Sequence, residues 1–247
     1  MTITAYALLA FTIVVSSFIS GVFGMAGGMI LLGVLLNYFN VASAMILFSI
    51  IQFCANGWRA YRWREYVRWP IFFKYLIGAA LSFAAMYSIK FVPDKTMVYL
   101  SLGLMPFAIE ALPRDWRPNI EWRGLPFITG VLTTVIQVLA GVGGLFLDIF
   151  FQKSMLDRKT TNATKATVQT LSHVVRIAYF GTVSGFANVS MWLLVPAIAL
   201  AVASTSLAPL VIERMTDHGF RQWTRRIIFA VSVVYLFRGA MLWWHHG

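Results

Sequence analysis

The sequence predicts an all-α polytopic membrane protein, one domain over residues 1–247 built as two inverted repeats, and three observations carry that expectation. Of the 247 residues, 59% are hydrophobic and only 12% charged, roughly half the charged share of a soluble domain. Apolar runs fall at 5–39, 41–58, 69–91, 96–112, 124–152, 162–183, 190–212 and 225–244. Long runs without the alternation of barrel strands favour helices. Two of the runs are too long for a simple span, and each carries a glycine cluster near its middle.

The first run, 5–39, would reach about 50 Å as one helix against a hydrocarbon core of about 30 Å, so it must break. The break is predicted at Gly24-Met25-Ala26-Gly27-Gly28, because clustered glycine weakens a helix by about 1 kcal/mol per residue. No charged residue precedes Arg59, so the start lacks the basic region of a cleaved signal peptide and is expected to remain. Run 41–58 leads into Gln52, Asn56 and Arg59, spaced i, i+4 and i+7 on one helical face. Its Cys54 is the single cysteine of the chain, which excludes an intrachain disulfide or a cysteine-based metal site. Runs 69–91 and 96–112 are plain spans that close a first repeat at residue 112. The charged stretch 113–123 is the linker. Run 124–152, about 43 Å if unbroken, breaks at Ala140-Gly141-Val142-Gly143-Gly144. Run 162–183 carries Gln169, His173 and Arg176 with the same spacing as the first trio, and runs 190–212 and 225–244 complete the second repeat, 124–247.

The repeat rests on register. A shift of 116 superposes Gly27-Gly28 on Gly143-Gly144, and one inserted residue then superposes Gln52 on Gln169 and Arg59 on Arg176. Charge sets the orientation. The chain is basic, +11, and 16 of its 20 Lys and Arg cluster at 59–74, 114–123, 153–165 and 214–226, while the loops near 37–43 and 181–190 hold none. In a polytopic protein such an excess marks cytoplasmic loops and not a nucleic-acid surface. All four clusters are cytoplasmic, and both termini external, only if runs one and five are re-entrant hairpins; the expectation is six full spans and two hairpins. Broken helices at membrane depth are tolerated where their free backbone groups line a cavity, and crossed pairs of them mark transport sites.

A helix that restarts after glycine presents unpaired N–H groups and about half a positive charge, an anion site. The second arms are expected to start at Gly28 and Gly144 and to hold a small anion between them, with Gly24, Ala26, Gly27, Gly141 and Gly143 letting it approach the backbone. Gln52 and Gln169, with Asn56 and His173 one turn on, are candidate donors or interhelical glue. Arg176, a cation in an apolar helix, is placed in the outer vestibule, and Arg59 at the cytoplasmic mouth, as steering or anchoring charges. Asp148 is a candidate site for a coupling proton or sodium ion, or a salt-bridge partner of an interfacial base. No catalytic residue, metal site or cofactor is expected: neither glycine cluster continues into Gly-Lys-Ser/Thr, and His245-His246 lacks a second ligand cluster. A secondary transporter leads, with an anion channel as its rival. An intramembrane protease built on Ser184 fails, because the G-x-S-G element is not matched and His218 lies on the opposite side.

The two glycine clusters, followed in the second half by the Thr/Ala/Lys stretch Thr161 to Thr167, resemble the sulfite exporter TauE/SafE family, also called the 4-toluene sulfonate uptake permease family, over essentially the whole chain. The family element is G-x-G-G-G-like; its third glycine is Ala26 and Val142 here, and a proline often found five residues beyond it is Gly33 and Ile149. The resemblance implies a bacterial inner-membrane carrier of small sulfur-containing or organic anions such as sulfite, sulfonates or sulfoacetate.

Overall fold

The computed structural model describes residues 3–23, 25–141, 143–186, 191–212 and 217–246. Among them the chain forms ten α-helices and no strand: α1 (Ile3–Phe23), α2 (Met25–Tyr38), α3 (Val41–Arg62), α4 (Trp69–Ile89), α5 (Lys95–Ala111), α6 (Leu125–Ala140), α7 (Gly144–Phe151), α8 (Arg158–Ser184), α9 (Met191–Ile212) and α10 (Asp217–His246). Every apolar run became a helix, and the two long runs became pairs. The ends are chemically marked. Asn40, Asp94 and Asp157 cap α3, α5 and α8 by accepting from the backbone N–H groups of Ser43, Met97, and both Lys159 and Thr160, which satisfies donors that have no partner inside the helix. Gly141 ends α6 with φ +80, a left-handed conformation that only glycine adopts without a steric cost.

Among the described residues four stretches are long and apolar enough to cross a membrane alone: α1, α3, α4 and Gln222–His245 of α10. At 1.5 Å per residue α1 reaches about 31 Å, whereas α6 and α7 reach about 24 and 12 Å, so neither arm of the second pair crosses by itself. The first break also lies earlier than its sequence suggested. Helix α2 starts at Met25 and not at Gly28, because Gly27 is needed for packing: a Cβ there would lie 1.9 Å from the Ser16 carbonyl oxygen and 2.3 Å from the Ser20 nitrogen. Gly24 and Val142 lie outside the described residues.

The helices pack as matched pairs. Helix α3 lies along α8, α5 along α10, α4 along α6, and α1 along α9. The α5–α10 contact is reciprocal: a Cβ at Gly103 would meet Leu236 Cγ at 2.7 Å, and one at Gly239 would meet Leu100 Cδ2 at 2.7 Å, so the two helices run antiparallel with each leucine in the other's glycine notch. Outward faces carry Phe11, Phe73, Ile77, Leu81, Val195 and Phe237 exposed, while Thr12, Ser16, Thr133, Gln137, Gln169 and Arg176 are buried. Apolar side chains exposed on the outer faces, with polar ones held inside, suit a lipid solvent, which offers no hydrogen bonds.

Candidate anion site at the crossing of helices α3 and α8

The polar stripes read from the sequence face each other. Helices α3 and α8 run antiparallel, since Asn56 meets His173 while Arg59, one turn later, meets Gln169, earlier on α8. Between them lies a cavity of about 20 Å³ lined by Gln52, Asn56, Arg59, Gln169, His173 and Arg176, by Gly143 and Gly144 at the start of α7, and by Ser20, Phe48, Tyr75, Thr133, Gln137, Leu147 and Ser172.

The hydrogen bonds fix which atoms face this space. Arg59 Nη2 donates to Asn56 Oδ1 at 2.6 Å and to Gln169 Oε1 at 3.1 Å. A guanidinium only donates, so Asn56 must turn its amide nitrogen to His173 Nε2, 3.3 Å away. In the neutral ring Nε2 then accepts and the proton sits on Nδ1, which is buried without a hydrogen-bond partner. On the other side Tyr75 Oη lies 2.6 Å from Thr133 Oγ1 and 2.7 Å from Ser172 Oγ, and the Gln137 amide donates to the Ser172 carbonyl. These bonds tie α4, α6 and α8 into one wall.

Arg176 is 1% exposed. Its guanidinium lies 5.0 Å over the Phe48 ring, and Nε and Nη1 have no hydrogen-bond partner. The sequence placed it in an outer vestibule; it is instead a wall of the cavity, because its helical face is the face α8 turns to α3. A buried cation with two unpaired donors lacks an anion, by its chemistry. Gln52 Oε1 is likewise unpartnered. Arg59 is also drawn inward, bound to Asn56 and Gln169 and not free at a mouth.

The glycine clusters contribute unequally. Gly143 and Gly144 line the cavity, so the free N–H groups and positive dipole end of α7 are directed at it. Gly27 is packed on α1, and Gly28 stands behind two residues of the lining, a Cβ there falling 2.9 Å from Gln52 Nε2 and 3.5 Å from Phe48 Cζ. Ala26 is buried in the core, and Gly141 is the α6 cap, a Cβ there meeting Met45 Cε at 2.5 Å. Asp148 lies outside the lining and is held by Lys165 Nζ at 2.5 Å. Gln137 and Thr133, four residues apart in an apolar run just before the second glycine cluster, were the missed residues with a sequence signal; Tyr75 had none, since tyrosine is common in membrane helices.

The family model of the sulfite exporter TauE/SafE matches residues 8–236. The chain belongs to that family. No curated protein and no solved structure matches it. Membership makes this TauE/SafE protein a multi-pass membrane protein and implies transport of the sulfite or sulfonate type. Around the cavity the unpaired buried donors outnumber the unpaired acceptors.

Proposed function

We propose that this TauE/SafE protein is a secondary transporter that carries a small oxyanion, such as sulfite or a compact sulfonate, across the bacterial inner membrane, and that the anion binds in the α3–α8 cavity. The observation that carries the reading is Arg176: a guanidinium 1% exposed with Nε and Nη1 unpaired is a buried cation with unmet donors, which the oxygens of a sulfur oxyanion would satisfy. Gln52, the His173 Nδ1 donor and the start of α7 complete the coordination, so side chains carry more of the binding than helix ends alone. The cavity is small, with Arg59 and Arg176 both largely buried, and among the described residues no continuous water path joins it to the pocket beside Asn40 and Ser184, which favours a carrier over an open anion channel. A coupling proton or sodium ion would reach Asp148 only by displacing Lys165.

The same reading takes residues 1–112 and 124–247 as inverted repeats joined by 113–123, with both termini external and α1–α2 and α6–α7 as hairpins. Matched packing supports it: α1 on α9 has its counterpart in α6 on α4, and the counterparts α3 and α8, and α5 and α10, lie antiparallel, as a two-fold axis in the membrane plane requires.

The test is binding to the purified protein across sulfite, sulfate, thiosulfate, methanesulfonate, toluenesulfonate and chloride, followed by counterflow in proteoliposomes. Compact sulfur oxyanions are expected to bind best, and unlabelled anion on the far side should accelerate labelled uptake. Failure of every oxyanion to bind, or flux without such acceleration, would overturn the reading.

A further inference from the structure

Two hydrogen bonds of Arg59, to Gln169 and to Asn56, break the symmetry of the site, since neither has its counterpart at Arg176. The shift of 117 that carries Gln52, Asn56 and Arg59 onto Gln169, His173 and Arg176 maps the Asn56–His173 contact onto itself. It maps the Arg59–Gln169 bond onto a bond between Arg176 and Gln52. The first is made at 3.1 Å. The second is not, and its two ends, Gln52 Oε1 and Arg176 Nε and Nη1, are among the buried groups without hydrogen-bond partners. On the side of the unmade bond, α3 begins and α8 ends at a wide vestibule of about 350 Å³ lined by Asn40, Ser43, Pro93 and Ser184, about 12 Å along α8 from Arg176. On the side of the made bond α3 and α8 are closely apposed, with a Cβ at Gly57 falling 3.6 Å from Thr170 Cγ2.

The geometry points to a pair of alternating latches: Arg59–Gln169 seals one mouth of the site while Arg176–Gln52 stands open toward the other, and transport exchanges them. This rests on the transporter reading, and it adds which bonds move. With Arg59–Gln169 closed, the unpaired Arg176 stands on the vestibule's side of the site, and the buried Met45, Tyr179 and Phe180 on the stretches of α3 and α8 between them must part for the anion to reach it. When Arg176 closes on Gln52, Arg59 is freed as the equivalent cation on the opposite side. Both latches pair an arginine with a glutamine, but Arg59 is also held by Asn56, an acceptor that His173 does not offer Arg176, so the state with Arg59–Gln169 closed is the resting one and bound anion at Arg176 must offset the difference.

The test uses two single-cysteine reporters in a Cys54→Ala background and no substrate, so its outcome is independent of which anion binds. Ala42→Cys reports the vestibule, and Thr170→Cys the sealed side, each by its rate of reaction with a small thiol reagent. Arg59→Gln is expected to raise Thr170→Cys labelling about tenfold or more, the weight of one charge-assisted bond, and to lower Ala42→Cys labelling. Arg176→Gln is expected to leave Thr170→Cys and Ala42→Cys, both half-buried positions, at the labelling rates of the unmutated reporters. If Arg59→Gln does not insert, Gln169→Leu, which removes the acceptor and keeps the cation, must give the Arg59→Gln pattern. Labelling at Thr170→Cys that does not respond to breaking Arg59–Gln169, or both arginine variants moving the reporters in the same direction, would overturn the latch, even if anion binding and counterflow are intact.

Discussion

Replacing Arg176 with Met separates a residue that builds the fold from one that awaits a ligand. Met has similar length, no charge and adaptable packing, so the exchange removes the buried cation without a large void. In the protein without anion, the cation in an apolar helix costs at least about 2.5 kcal/mol, offset by a ring contact with Phe48 at 5.0 Å worth about 0.5 to 2 kcal/mol. Arg176→Met should therefore unfold later than the wild type by on the order of 1 kcal/mol. With anion the order reverses. Nε and Nη1 are both unpaired, and one charge-assisted contact to an oxyanion, about 1.5 to 3 kcal/mol, is a loss of affinity of about 10- to 150-fold. The assay is thermal unfolding in detergent over a sulfite titration, with calorimetric binding alongside. At about 100 times its Kd, anion should stabilise the wild type by about 2.7 kcal/mol and Arg176→Met by about 0.3 to 1.4 kcal/mol, so the wild type gains on the variant as sulfite is added. Arg176→Lys, which keeps the charge but loses the planar fork, should bind with intermediate affinity. A variant that is no more stable without anion, and responds to sulfite at the wild-type midpoint, would refute the assignment.

Three further outcomes are expected. Gly27→Ala should abolish accumulation of folded protein, since its Cβ would strike the Ser16 carbonyl at 1.9 Å, while Gly28→Ala should accumulate normally and bind anion about tenfold more weakly, because it displaces only the movable Gln52 amide at 2.9 Å; expression and binding distinguish the two. Asp148→Asn breaks a partly exposed ion pair with Lys165 and should lower stability by less than about 1 kcal/mol, leaving gradient-driven uptake in place; loss of gradient-driven uptake with counterflow intact would instead make Asp148 the coupling residue. Thr160→Cys in a cysteine-free background should resist an impermeant reagent applied outside intact cells, and labelling from outside would end the inverted topology.

The helices were legible because their causes are local. Apolar runs of membrane length and clustered glycine act within a few residues, so the sequence by itself determined the helix order and that the two long runs divide, while α2 starts at Met25 and α8 at Arg158, earlier than the expected Gly28 and residue 162. The i, i+4, i+7 spacing likewise determined that Gln52, Asn56 and Arg59 share one face, and Gln169, His173 and Arg176 another. Which surface each face meets is another matter, because periodicity is a property of one helix and a cavity is a property of several. Tertiary packing decided that Asn56 touches His173 and that Arg176 is buried under Phe48 instead of waiting in a vestibule. It also decided that Tyr75, Thr133 and Gln137 close the wall from α4 and α6. Gly27 and Gly28 show the same division: their presence predicted a break, yet the close approach of α1 decided that Gly27 serves the crossing and left the helix start facing the cavity to Gly143 and Gly144. The physical reason is that a glycine relieves whatever crowds it, backbone strain or a neighbouring helix, and only the neighbour's position tells which.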